Sequence, residues 1–561
     1  IGLSRHCHMA MAGGDGAEPG SGARLALRNI LSTCEYHLQP RLQQQLERID
    51  ALREKLSSAI REMLADALPA NDLDALADGL DALGRQDLDL SEISGRIDEA
   101  TTQRQVDGAR LGRLVDAARG LADLRWRLAE GVDGLGRSRV GLTIAPGSVA
   151  MWAGAFPHNP FACPVALDAG GETGHLARGL IEGQIHLTLA GIRLMRWAQL
   201  EIDEPKAGFD RVRALNRLRL RDLTDAERLL VPPMLVVGDG RTLGGRGLSQ
   251  LAWLLNADLP VKVVVLSDIG GAADGGLRVD AMGGYPAAER FDLALLALLN
   301  RNAFVTQTSI AHGEHFATSV LGALEFDGPA LVHIHAPSPE RHGFAPERLL
   351  DQAALALRSR AFPLFTFDPS HEGVFGSCLD LSANPDSEST WCVDDTGRPI
   401  TPADWMASEA RFAEHLSMLT DDHPAPIPIS EYLAASSEER DGRTPFVAIT
   451  DDDHEEHRLR IDAIAADDID RRARLWRTLQ ELAGVVTPFT ERVREQAERE
   501  VKLTHEEELE QVRKTYESKL AELRAGFETE ATQRVTEGLM ALIGYGDDDE
   551  SAAEPDGESH A

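Results

Sequence analysis

Between residues 232 and 335 the chain is punctuated by short β-branched runs: "MLVVG", "VKVVVLSD", "AFVTQT" and "PALVHIHAP". Helical stretches at 248–257, 288–300 and 313–324 lie between them. Runs with so little polar alternation must be buried on both faces. A mostly parallel sheet covered by helices above and below does this, and the strand–helix rhythm points the same way. The expected class is therefore α/β, with a mostly parallel, doubly wound sheet across 136–370. An N-terminal helical region precedes it, and a C-terminal long helix or coiled coil follows.

Texture divides the remainder. Residues 1–25 are glycine-rich and read as a disordered tail, with Met9 or Met11 as the expected start of translation. From 26 to 135, Leu and Ile recur at helical spacing, as in "LQQQLERIDALREKLSSAIREMLADAL". A Pro-Ala-Asn-Asp break at 69–72 ends one helix, and Asn71 or Asp72 can cap the next. Residues 371–466 read as an irregular, mixed extension in which "TPFVAITDDDHEEHRLRI" suggests a strand or hairpin. Residues 467–545 read as helical and coiled-coil-like. Leu509, Val512, Tyr516, Leu520, Leu523 and Phe527 form a narrow seam there, suited to homo-oligomer contacts or to docking on another helix. Residues 546–561 are an acidic disordered tail.

The net charge of −34 argues against nucleic-acid or anionic-membrane partners, and no apolar run is long enough to span a bilayer. The five cysteines are scattered with no C-x-x-C pair, so reduced thiols in a cytoplasmic protein are expected.

The stretch "VVGDGRTLGGRG" holds the richest chemistry. In an open parallel sheet, ligands sit beyond the carboxyl ends of the strands. Asp239 and Asp268 both fall there, one after each of two consecutive strands, and together they suit Mg²⁺. Glycines 238, 240, 244, 245 and 247 allow backbone N–H groups to approach an anion. A loose dinucleotide fingerprint is the competing reading, with Asp268 on a ribose hydroxyl. A tight strand–helix crossover capped by Asp239 is the plain one.

The surrounding segments resemble the thiamine-diphosphate-binding domain of pyruvate:ferredoxin (flavodoxin) oxidoreductases. "APGSVAMWAGAFPHNP" is similar to the family's Gly-Cys-Ser-Ser-Ile-Trp-Gly-Ala stretch, with Gly147, Trp152 and Ala155 in place. "GHLARGLIEGQIHLTLAG" resembles the helix that follows, with Glu182. "VGDGRTLGGRGLSQLAWLLNADLPVKVVVLSDIGGAADGG" resembles the diphosphate and metal motif, and "FDGPALVHIHAPSPERHG…FPLFTFDP" the closing strand and exit. These colinear blocks, about 139–370, span roughly 40% of the chain.

The resemblance implies a thiamine-diphosphate-binding fold holding thiamine diphosphate and Mg²⁺. Gly238, Asp239, Gly240, Trp152, Glu182 and Gly275 would contact the cofactor. Asp239, Asp268 and the Gly270 carbonyl would be metal ligands, with Asp268 standing where the family has a Thr. Ala273 and Asp274 replace the family's Asn and its Thr neighbour. Two positions that hold cysteine ligands of a [4Fe–4S] cluster in the family are Ser148 and Ser338, and the Cys-x-x-Cys pair before residue 140 is missing. No iron–sulfur cluster is therefore expected in this chain. The family's pyrimidine-binding domain and redox centres would come from a partner chain.

His158 and His175 fall near the implied cleft and can handle protons. His312 with His315, and His333 with His335, lack a third ligand at a diagnostic spacing, so packing roles are favoured over zinc. The two histidines of "LVHIHAP" should share one face of their strand. No catalytic residue is assigned. Two functional readings stand side by side. One is a component of a thiamine-dependent 2-oxoacid oxidoreductase, inactive alone. The other is a degenerate, non-catalytic scaffold or regulatory homologue. A dinucleotide-binding dehydrogenase ranks third.

Overall fold

The computed structural model describes residues 3–67, 107–154, 161–204, 209–269, 292–371, 373–420, 422–450 and 455–544. They fall into two units, one ending at Val485 and one beginning at Val486.

The first unit is built on an eight-stranded sheet. Its strands are β1 (Gly141–Ile144), β2 (Val165–Leu167), β3 (Met234–Asp239), β4 (Val261–Ser267), β5 (Phe304–Ser309), β6 (Ala330–His335), β7 (Phe365–Phe367) and β8 (Leu379–Asp380). Their order is β2-β1-β3-β4-β6-β5-β7-β8. All pairings from β2 to β5 are parallel, whereas β7 and β8 add antiparallel at one edge. The α/β class with a large, mostly parallel sheet is therefore present as the strand–helix rhythm required.

Both faces are covered, which explains the unbroken apolar runs. Val236, Val263, Val265 and Leu331 point to one face. The helices Thr173–Asp203, Leu248–Leu255 and Leu293–Leu299 pack there. Leu235, Val237, Val264 and Ile334 point to the other, against the start of helix Gly22–Ala67 and against helix Gly313–Glu325. The far half of Gly22–Ala67 leaves the sheet. Through Ile49, Leu52 and Leu56 it forms a small bundle with helix Gly108–Ala129 and the end of Thr173–Asp203. The Asn71/Asp72 break lies outside the described residues.

Residues 3–21 correct an expectation: read as disordered, they are instead packed. A helical turn, Arg5–Ala10, buries Cys7 and Ala10. Gly13 and Gly14 then run at positive φ, so close to Phe161 and Trp152 that an added Cβ would meet their rings at 2.8 and 3.0 Å. Gly22 N–H donates to the Pro337 carbonyl at 3.0 Å. Glycine content here reflects close approach and unusual backbone, not a chain too polar to order.

The 371–466 extension is less irregular than its composition suggested. "TPFVAITDDDHEEHRLRI" does form an antiparallel pair, Thr444–Thr450 with Glu456–Ile461, within a four-stranded sheet. Trp405, Phe412 and Ile461 anchor its core with Ile469 of helix Ala463–Leu482. The helical tract from 467 is in fact two helices. Gly484, at positive φ, and Pro488, at the first turn of the next helix, separate Ala463–Leu482 from Pro488–Ile543. Pro488–Ile543 is the whole of the described second unit apart from its short flanks, and its side chains from Arg492 onward are exposed. The acidic tail lies outside the described residues. Among those described, no helix is long and apolar enough to cross a membrane.

Candidate functional site

Sheet order reverses between β1 and β3, because the chain leaves β1 for β2 on one side and resumes at β3 on the other. The carboxyl ends of these two strands form the crevice where open α/β sheets bind ligands. Asp239 closes β3 and caps the short helix Gly240–Gly244, with Oδ1 accepting from Thr242 N–H at 2.7 Å. Its Oδ2 accepts from the N–H and Oγ of Ser148, at 2.7 and 2.9 Å. The Ser148 loop comes this close because Gly147 has φ +125° and no side chain. A Cβ there would stand 2.3 Å from Asp239 Oδ2 and from Thr242 Oγ1. Gly238 is a packing glycine, with Leu243 and Ala145 at about 3 Å from any added Cβ, whereas Gly240 has room.

Beside this knot a cleft of about 580 Å³ opens, bordered by Pro146, Gly147, Arg241, Arg246 and Gln250. Its far wall is the start of helix Thr173–Asp203. The Asp168 carboxylate already occupies that end, accepting from Gly170 and Gly171 N–H and from Thr173 Oγ1. Burial alone would raise the Asp168 carboxyl pKa, but these donors hold it below its ordinary value. Gln250 ties the wall down, accepting from Gly174 N–H and donating to the Gly171 carbonyl, both at 2.6 Å. Arg241 and Arg246 line the same cleft.

The second acidic position is engaged differently. Asp239 pairs in register with Leu266, so Asp268 lies two residues further out on the neighbouring strand. Its Oδ2 is ion-paired with Arg341, and Arg411 donates to its backbone carbonyl at 3.1 Å. His342 Nε2 stands 3.8 Å from the same oxygen and His342 Nδ1 3.7 Å from Glu409. Glu409 in turn accepts from Arg411 Nε at 2.6 Å, and both side chains are buried. Burial opposes the Asp268 charge. His342 and the two guanidinium groups outweigh it and hold the carboxyl far below the usual range. Ile269, next along, sits at φ +56°, a strained backbone for a β-branched residue.

The other positions singled out from sequence disperse. Trp152 packs beside Gly14, and Glu182 pairs with Arg178 at 2.7 Å on an exposed helix face; neither lines the cleft. Ala155, His158, Gly270, Ala273, Asp274 and Gly275 lie outside the described residues. Ser338 caps the turn Pro339–His342, accepting from Arg341 N–H. His175 stacks on Trp253, ring centroids 5.2 Å apart. His312 caps its helix by accepting from His315 N–H. His315 bonds Thr308 and Thr366, and His333 bonds Gln307. Burial lowers the pKa of His315 and His333 to about 4. His333 and His335 share one face, both against Phe362. Among the described residues no group of three or more His, Cys, Asp or Glu is placed to hold a metal ion. All five cysteines are buried and free.

Sequence reasoning missed Arg341, Arg411 and Glu409. The run "PSPERHG" after β6 carried a trace of the first, a charged pair at a strand exit. Nothing local marks Arg411, which reaches Asp268 from 143 positions away. No protein-family model matches the chain, and no curated protein matches it.

Proposed function

We propose that the chain is a non-catalytic scaffold or regulatory homologue of the thiamine-diphosphate-binding domain of pyruvate:ferredoxin oxidoreductases. The Asp268–Arg341 ion pair carries this reading. Mg²⁺ demands near-octahedral oxygen ligands and gives up water reluctantly. To reach Asp268 it would have to displace one guanidinium and settle beside a second, Arg411. The magnesium–diphosphate group therefore does not fit the described residues, and no catalytic step is derived through it. The serines at the two cysteine positions support the same reading, since Ser148 and Ser338 are spent on hydrogen bonds to Asp239 and Arg341.

A second reading is favoured by one observation: Asp239 accepts from the N–H of Thr242, a residue that lines the switch-point cleft. On that reading the chain would be the thiamine diphosphate and Mg²⁺ component of a 2-oxoacid oxidoreductase, with a partner chain supplying the rest. The dinucleotide reading is the weakest. The Asp239 carboxylate sits on the helix N-terminus that a pyrophosphate would need, and like charges repel there.

Calorimetric titration of the full chain with thiamine diphosphate and Mg²⁺ tests this, using wild type, Asp239→Ala and Arg341→Met. Wild type should show no Mg²⁺-dependent binding. Mg²⁺-dependent binding that Asp239→Ala abolishes would overturn the non-catalytic reading in favour of the second.

A further inference from the structure

Helix Pro488–Ile543 carries an apolar seam that none of the described residues covers: Leu509, Val512, Tyr516, Leu520, Leu523 and Phe527 are each more than half exposed. Its sequence repeats every 11 residues. Val501, Val512 and Leu523 form one such series, and His505, Tyr516 and Phe527 another. Basic residues recur at 502, 513 and 524, acidic ones at 506, 517 and 528. A period of 11 is about 3.67 residues per turn, so the seam stays on one side of an almost straight helix. At about 100° per residue, the seven seam positions from His505 to Phe527 fall within roughly 80° of arc.

The seam is also a palindrome centred on Tyr516. Val512 and Leu520 lie 4 residues to either side, Leu509 and Leu523 lie 7, and His505 and Phe527 lie 11. Val501 and Ala531 continue the symmetry at 15. A parallel pair needs no such symmetry, whereas an antiparallel pair of identical helices brings each position opposite its mirror position. Turning the helix about Tyr516 places Leu509 against Leu523, and Val512 against Leu520, at every layer.

The charges agree. One flank of the seam carries Lys502, Glu506, Glu510, Arg513, Glu517, Arg524 and Glu528, basic and acidic residues interspersed. In an antiparallel pair this flank faces itself. Each basic residue then comes within two positions, about 3 Å of helix rise, of an acidic one on the other copy. Lys502 meets Glu528, Arg513 meets Glu517, and Arg524 meets Glu506. The opposite flank, with Glu508, Lys519 and Glu530, adds no such match.

We propose that this helix is the self-association surface of the protein, pairing antiparallel with a second copy about a two-fold axis at Tyr516. The inference is independent of what the cleft binds. Sedimentation equilibrium of the full chain at about 10 µM should give twice the chain mass. Leu520→Glu, which places a charge in the seam twice per dimer, should weaken association at least about a hundredfold. Circular dichroism should show the fold unchanged, because Leu520 is exposed in the single chain. Mild oxidation should cross-link Tyr516→Cys. It should leave Leu509→Cys uncross-linked alone but join it to Leu523→Cys when the two are mixed. The native cysteines are buried and should not interfere. A monomer, an unaffected Leu520→Glu dimer, or efficient self-cross-linking of Leu509→Cys would each overturn the proposal.

Discussion

Gly147→Ala tests the knot at the head of β3. At φ +125° an alanine is strained by about 1–3 kcal/mol. Its Cβ would also stand 2.3 Å from Asp239 Oδ2, roughly an ångström inside contact distance, so the carboxylate must swing away from Ser148. That breaks two hydrogen bonds to a charged acceptor, each worth about 1 kcal/mol at this half-exposed position. The expected loss is about 3–5 kcal/mol in the loop's local stability. Asp239→Ala removes the obstacle. In that background Gly147→Ala should cost only its backbone term, about 1–3 kcal/mol, since the Thr242 hydroxyl can rotate aside. The two substitutions should thus couple by about 2 kcal/mol. Hydrogen exchange at the Ser148 and Thr242 amides reads the loop directly. The urea midpoint by tryptophan fluorescence reports whether the damage spreads. An unchanged exchange rate in Gly147→Ala, or the same penalty with and without Asp239, would show that Gly147 is not there to admit the carboxylate.

Two pH effects follow from the buried groups. His333 has its folded pKa lowered to about 4, against about 6.5 when unfolded. The unfolded chain then takes up the extra proton, so stability is lost as pH falls from about 6.5 to 4, by up to about 3 kcal/mol. His333→Gln should flatten that part of a melting temperature against pH curve, and an unchanged slope would count against the assignment. Asp268 has its folded pKa depressed. Its contribution is present above the unfolded value of about 3.9 and disappears as pH falls below it. Arg341→Met should lower stability at neutral pH and make it less sensitive to acid below about pH 4; urea midpoints from pH 2 to 6 would show this.

The sheet was legible because burial on both faces forces β-branched runs, and those runs need no partner to be recognised. Its strand order was not, since nothing in "PALVHIHAP" says that β6 inserts between β4 and β5. Asp239 could be placed at a strand end from the Gly-Asp-Gly turn alone, whereas its engagement by Ser148 depends on a glycine 92 positions earlier. Asp268 illustrates the limit. Sequence shows a carboxylate beyond a strand, but whether it faces a metal or a guanidinium depends on Arg341 and Arg411, which only the fold brings near. The glycine-rich start misled because composition cannot tell a glycine that loosens the chain from one that lets an aromatic ring approach.

The strand order also bears on how the protein is made. β4 and β5 both pair with β6, which follows them in the chain. While synthesis has reached only residue 329, "VKVVVL" and "AFVTQT" have their facing edges unsatisfied. Such edges invite pairing with other chains. Contacts that must wait for a later segment also slow folding. The nascent chain should therefore be most dependent on chaperones over the stretch of synthesis that separates β4 from β6. Insertion of β6 would end that exposure, and Arg341, a few residues behind it, would then close on Asp268.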